Sequence, residues 1–237
     1  MKRVMLMTMC LVLFAGFGIV KADWTVLASD DFNRADGDLG SSWTDLVGDW
    51  KVGGNEAYCS GGSKSITEYN SYQMFSSTSS GFEEKVSSKV REWAADSRWA
   101  GIAMHIQSSD TYYMIRMCFQ SSPLNFQIQK LDNGSESTIA SSSYSGSNYQ
   151  SYGPFTIEAV TDNAGNISAT LYNHNGDELL TISGVDSSPL VNGYAGLWAE
   201  SGTGYQKWDN FEISNNVPEP ATIGLLTLGL GFLVRRK

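Results

Sequence analysis

The sequence predicts an all-β domain folded as a two-sheet antiparallel sandwich, and three observations predict it. Apolar and polar residues alternate with period two in Phe155-Thr156-Ile157-Glu158-Ala159-Val160, in Asn166-Ile167-Ser168-Ala169-Thr170-Leu171 and in Leu124-Asn125-Phe126-Gln127-Ile128-Gln129. That is the signature of strands with one buried face. Between such runs stand Asn133-Gly134, Asn175-Gly176, Asn192-Gly193 and Asp162-Asn163-Ala164-Gly165, which supply the positive φ values that tight hairpins demand. Strands recur at intervals of about eight to twelve residues, about a dozen in all, as sandwiches require.

The chain opens with Lys2 and Arg3, followed by an apolar stretch over residues 4–20 and by Val20-Lys21-Ala22. This order reads as a secretory signal peptide over residues 1–22, cut after Ala22; an uncleaved anchor is the alternative. Residues 23–216 then form one domain, long enough for a single large core. The whole chain has a formal net charge of −9, but six of its cations and only one of its carboxylates lie in the terminal segments, so the domain carries −14. Such a charge argues against nucleic acid and anionic lipid surfaces and is compatible with cations and neutral glycans. Cys59 and Cys118 remain once Cys10 leaves with the signal. In an oxidising compartment such a pair can close a disulfide; a buried free thiol is the ordinary alternative. A Ser-rich stretch over residues 141–151, with Tyr144 and Tyr149 inside it, reads as a long loop.

At the C-terminus, Val217-Pro218-Glu219-Pro220 precedes an uncharged apolar run over residues 221–234 and the terminal Arg235-Arg236-Lys237. The prolines hold an extended neck. As a helix, the apolar run would reach roughly 21 Å, short of the ~30 Å hydrocarbon core unless flanking residues contribute or the bilayer thins. Its basic end favours the cytoplasm. Residues 217–237 resemble the PEP-CTERM sorting signal of Gram-negative bacteria. The resemblance implies a short C-terminal transmembrane helix as a temporary tether. It also implies recognition of Pro218, Glu219 and Pro220 by an exosortase-type membrane enzyme, and delivery to the cell envelope, outer surface or medium.

Across the domain a further succession stands out. It begins with Asp30-Asp31-Phe32-Asn33-Arg34-Ala35-Asp36-Gly37 and Leu39-Gly40-Ser41-Ser42-Trp43. It continues with Trp99-Ala100-Gly101-Ile102-Ala103-Met104 and Asp110-Thr111-Tyr112-Tyr113, and ends with Gly193-Tyr194-Ala195-Gly196-Leu197-Trp198 and Trp208-Asp209-Asn210-Phe211. This order resembles the concanavalin A-like jelly rolls of laminin-G and family-16-glucanase type. The resemblance implies two curved antiparallel sheets, a concave face that holds sugar, and a structural Ca²⁺ joining the first and last strands. Asp31 and Asp209 fall at the matching places for that ion, and oxygen ligands suit it; turn capping is the alternative for both.

No catalytic arrangement is legible. A retaining glycosidase needs two carboxylates about 5–5.5 Å apart, and the Glu-x-Asp-x-x-Glu string of the glucanases is missing. Glu83 and Glu84 are adjacent and so point to opposite faces, in a strand that reads as solvated beside Lys85, Lys89 and Arg91. His105 and His174 are the only histidines, and neither sits in a zinc or triad pattern. Sugar binding has better candidates: Trp93, Trp99, Tyr112, Tyr113, Trp198 and Tyr205 lie on or near strands that could line the concave sheet. Core filling is the competing use of such rings, and Tyr112 and Tyr113, being adjacent, should face opposite ways. The resulting expectation is an exported, non-catalytic module binding polysaccharide or mediating adhesion. Its rivals are a hydrolase of the same fold and a structural matrix protein.

Overall fold

The computed structural model describes residues 23–60, 64–74, 82–92, 99–118, 123–145, 153–200 and 206–216. The signal peptide, the sorting motif and the expected C-terminal helix lie outside the described residues. Among those described there are sixteen strands and no α-helix, more strands than the turn spacing alone suggests. The difference lies mainly in short pieces before residue 60, where alternation is too brief to register.

Seven strands form one sheet, in the order β11 (Ser135–Tyr144), β10 (Leu124–Asp132), β9 (Thr111–Cys118), β8 (Trp99–Ser108), β15 (Gly193–Glu200), β6 (Lys64–Met74) and β3 (Trp43–Val47). Nine form the other. Its path runs β14 (Glu178–Val185), β13 (Asn166–Tyr172), β12 (Phe155–Asp162), β7 (Glu83–Glu92), β16 (Gln206–Asn216), β5 (Ala57–Cys59), β4 (Trp50–Val52) and β2 (Gly37–Asp38), and β1 (Thr25–Asp30) pairs with β16. Neighbours are antiparallel throughout, as in Ile157 opposite Ser88 and Ile128 opposite Ile115.

The core fills the space between the sheets. Phe155, Ile157 and Ala159 of β12 meet it from one side, and Phe126, Ile128, Ile115 and Leu197 from the other. Trp208 lies 5.0 Å from Trp50 and donates its indole N–H to the Gly101 carbonyl 2.8 Å away, pinning one sheet to the other. Near the domain's start, Asp30 explains why the acidic motif folds as it does. Its carboxylate accepts the Phe32 amide, both Arg34 amino groups and the Trp43 indole N–H. That clamp holds Phe32 at φ 51° and fully buried, 5.6 Å from Trp43.

The hairpin tips match the sequence: Asn133 and Gly134 turn at φ 48° and 80°, and Gly165 at 84°. Two expectations are corrected. Residues 141–144 are strand, not loop, because Ser141, Ser142 and Ser143 pair with Gln127, Phe126 and Asn125 at the sheet edge; residues 146–152 lie outside the description. Cys59 and Cys118 are both buried, and no disulfide joins them. Cys59 is fixed opposite Trp50 in one sheet and Cys118 opposite Trp99 in the other.

Candidate functional site on the outer face of the seven-stranded sheet

A sheet buried on one face usually shows water the other. The seven-stranded sheet instead carries a second apolar cluster on its outer face: Ile66, Ala103, Ile106, Tyr112, Met114, Leu131 and Trp198, with Leu46, Trp99 and Tyr194 packed against it. Strand β9 is buried over its whole length for this reason. Tyr112 and Tyr113 do point opposite ways, but both are buried, Tyr112 in the outer cluster and Tyr113 in the core between the sheets. Tyr113 donates its hydroxyl to Asp186, 2.7 Å away, and accepts the Leu190 amide.

At the centre of the outer face is Arg116. One cross-strand row runs Ile66, Trp198, Gly101, Arg116, Gln127, Ser141. Gly101 has no side chain to separate its neighbours, so the guanidinium reaches across, 5.4 Å from the Trp198 ring and 4.6 Å from that of Trp99. Stacking of this kind suits the planar guanidinium. Its Nε and Nη2 donate to Gln127 Oε1 at 3.2 Å each, and Nη1 donates to Glu136 Oε1 at 3.2 Å. Trp198 Nε1 donates to the Tyr112 hydroxyl at 3.2 Å, and burial pushes that phenol's pKa up. Gln129 donates to Gln127 at 2.7 Å, while its own Oε1 is buried with no hydrogen-bond partner. By strand alternation Glu68 shares this face with Lys64 and Ile66, and burial raises its carboxyl.

Of the aromatic residues singled out from sequence, the structure therefore brings Trp99, Tyr112 and Trp198 together and sends Tyr113 to the opposite face. Trp93 and Tyr205 lie outside the described residues. Arg116, Gln127, Gln129 and Glu136 escaped the sequence reading. The available signal was an arginine in the otherwise apolar run Tyr112-Tyr113-Met114-Ile115-Arg116-Met117, which must find partners if buried.

The acidic candidates fare differently. Glu83 and Glu84 do point to opposite faces. Glu84 is not solvated: it is 2 % exposed and accepts the Tyr72 hydroxyl at 3.1 Å. Asp31 follows β1, and Asp209 lies in β16, the strand β1 pairs with. The Asp209 carboxyl is raised by burial, with Glu56 and Asp31 adding repulsion. Asp31 accepts the Asn33 amide two residues on, and Asp209 accepts the amide of the next residue, Asn210. No group of three or more acidic, His or Cys side chains that could hold a metal converges among the described residues. A concavity of about 340 Å³ on the other sheet, lined by Glu83, Asp162, Ser168 and Ser183, has no aromatic wall.

Residues 216–237 match the family model described as the PEP-CTERM protein-sorting motif. The chain ends in a PEP-CTERM sorting signal. The motif marks an exported protein that is processed at its C-terminus. No curated protein matches the sequence. Among solved structures, the domain is similar to the CBM2 module of the Lactobacillus casei BL23 phage J-1 evolved Dit, at 11 % identity and a TM-score of 0.59, covering 84 % of this chain and 100 % of that one. It is similar to peanut lectin at 11 % identity and 0.53, again covering 84 % and 100 %. It also resembles the GH43 protein BlXynB of Bacillus licheniformis at 15 % identity and 0.53, covering 78 % of this chain but only 38 % of that one. Likeness at this level shows the fold: the domain ahead of the sorting signal is a jelly-roll sandwich.

Proposed function

We propose that this exported sandwich is a non-catalytic module that binds polysaccharide through the outer face of its seven-stranded sheet. The observation that carries the reading is the convergence of Trp99, Tyr112 and Trp198 around Arg116 and Gln127 on that face. Apolar sugar faces stack on rings, and amide and guanidinium groups beside them read hydroxyls. Trp99 is the half-exposed ring of the set and so the one a sugar would meet; Trp198 and Tyr112 form the floor. The fold likeness to a lectin and to a CBM2 module supports the same reading. An exosortase-type enzyme then recognises Pro218-Glu219-Pro220 and releases the domain to the envelope surface or the medium.

The test is a glycan array read alongside reducing-sugar release. Binding without release is expected, with Trp99→Ala weakening it by about tenfold at unchanged melting temperature. A hydrolase of the same fold is the rival, and the raised Glu68 carboxyl on this face is the observation that favours it. Sugar release that Glu68→Gln abolishes would establish the rival. An array with no binding and no release leaves the matrix role.

A further inference from the structure

Arg116 is held in two unequal ways. Gln127, Met114, Trp99 and Trp198 come from the central strands β10, β9, β8 and β15 and grip it from within the sheet. Its remaining partner, Glu136, comes from the edge strand β11. The Arg116 side chain is 10 % exposed and that of Glu136 36 %. The same Glu136 oxygen lies 3.7 Å from Lys64 Nζ. A guanidinium is charged at any relevant pH, and one this buried needs a compensating anion. Glu136 is that anion, and it is the most exposed member of the group.

We infer that Glu136 is the specificity-determining residue of the glycan face: its carboxylate occupies the position between Arg116 and Lys64 where an anion would sit, and so restricts the face to neutral sugars. A uronate carboxylate would have to displace Glu136 or stand beside it, and either is penalised by like charge or by a lost ion pair. This rests on the reading of the face as a glycan site, but it assigns a substrate class and a residue that the reading does not.

The experiment measures binding of polygalacturonate, at physiological ionic strength, to the intact exported domain and to Glu136→Gln. The amide keeps the shape and removes the charge. Polygalacturonate should bind Glu136→Gln about tenfold tighter than wild type, the scale of a charge-assisted contact. Glu178→Gln, which removes an equal charge from an exposed residue of the other sheet, should change nothing. Should the amide disturb the edge, Glu136→Ser, matching Ser135 and Ser137, serves instead. No gain at Glu136 overturns the inference, as does an equal gain at Glu178 or a wild type that already binds polygalacturonate as tightly as any neutral glycan. Failure of the wild type to bind neutral polysaccharide counts against the function reading alone, because the polygalacturonate arm still decides Glu136.

Discussion

His105 shows how a single residue answers to its surroundings rather than to its neighbours in sequence. Alternation with Ala103 and Gln107 suggested an ordinary strand position. In the structure it sits at φ 50° where the pairing of β8 with β9 is interrupted, 4 % exposed, with its ring edge-on to Tyr113 at 5.9 Å. Nδ1 lies 3.3 Å from the Asn192 carbonyl, and Nε2 is buried without a partner. Burial lowers its pKa to about 4, against the smaller opposing pull of the Asn192 carbonyl. Above pH 6.5 neither the native nor the unfolded chain is protonated there, and the group is neutral to stability. As pH falls below 6.5 the unfolded chain binds a proton that the native one refuses, so stability falls until about pH 4 and then levels. The full penalty is about 3 kcal/mol. Denaturant melts from pH 7 to pH 4 should show His105→Asn, which tolerates the positive φ, losing less stability than wild type; parallel curves would contradict this. Asp30 is the second such residue. Asp30→Ala strips partners from Phe32, Arg34 and Trp43 together, and should cost about 2–4 kcal/mol in a urea titration.

Strand β8 presents the element-scale constraint. A Cβ added at Gly101 would lie 1.8 Å from the Ile115 carbonyl oxygen, on the paired strand β9. Backbone cannot yield as a flexible side chain can. Gly101→Ala should therefore cost about 2–4 kcal/mol and also separate Arg116 from Trp198, so thermal melting and glycan binding should fall together. Strand β11 illustrates the converse: its Ser-rich sequence has little strand propensity, yet it pairs because β10 offers an open edge with a matching register. At the junction of β1 and β16, Asp31 and Asp209 each accept a neighbouring amide, and no third ligand converges on them among the described residues. The melting temperature should therefore be indifferent to calcium and to a chelator; a rise with calcium that Asp209→Asn abolishes would restore the cation.

At the scale of the whole molecule, an acidic sandwich is joined to a sorting signal, and the two parts were legible to different degrees. Replacing Pro218 and Pro220 with Ala should leave the exported protein at its unprocessed C-terminal mass in the membrane fraction; an unchanged mass and location would refute processing at this motif. The sorting signal, the sandwich class and the hairpin tips were determined by the sequence itself, because each rests on local physics: proline geometry before an apolar run, period-two burial in β10, β12 and β13, and positive φ at Asn133-Gly134. The face on which Tyr112 lies, the burial of Glu84, the placing of Cys59 and Cys118 in different sheets, and the gathering of Trp99, Arg116, Trp198 and Glu136 were decided only by the tertiary structure. Alternation says that neighbours point to opposite faces, but not that both faces of a strand are covered. Nor can it bring residues from β8, β9, β11 and β15 into one cluster, since that depends on strand order and register between segments up to a hundred residues apart.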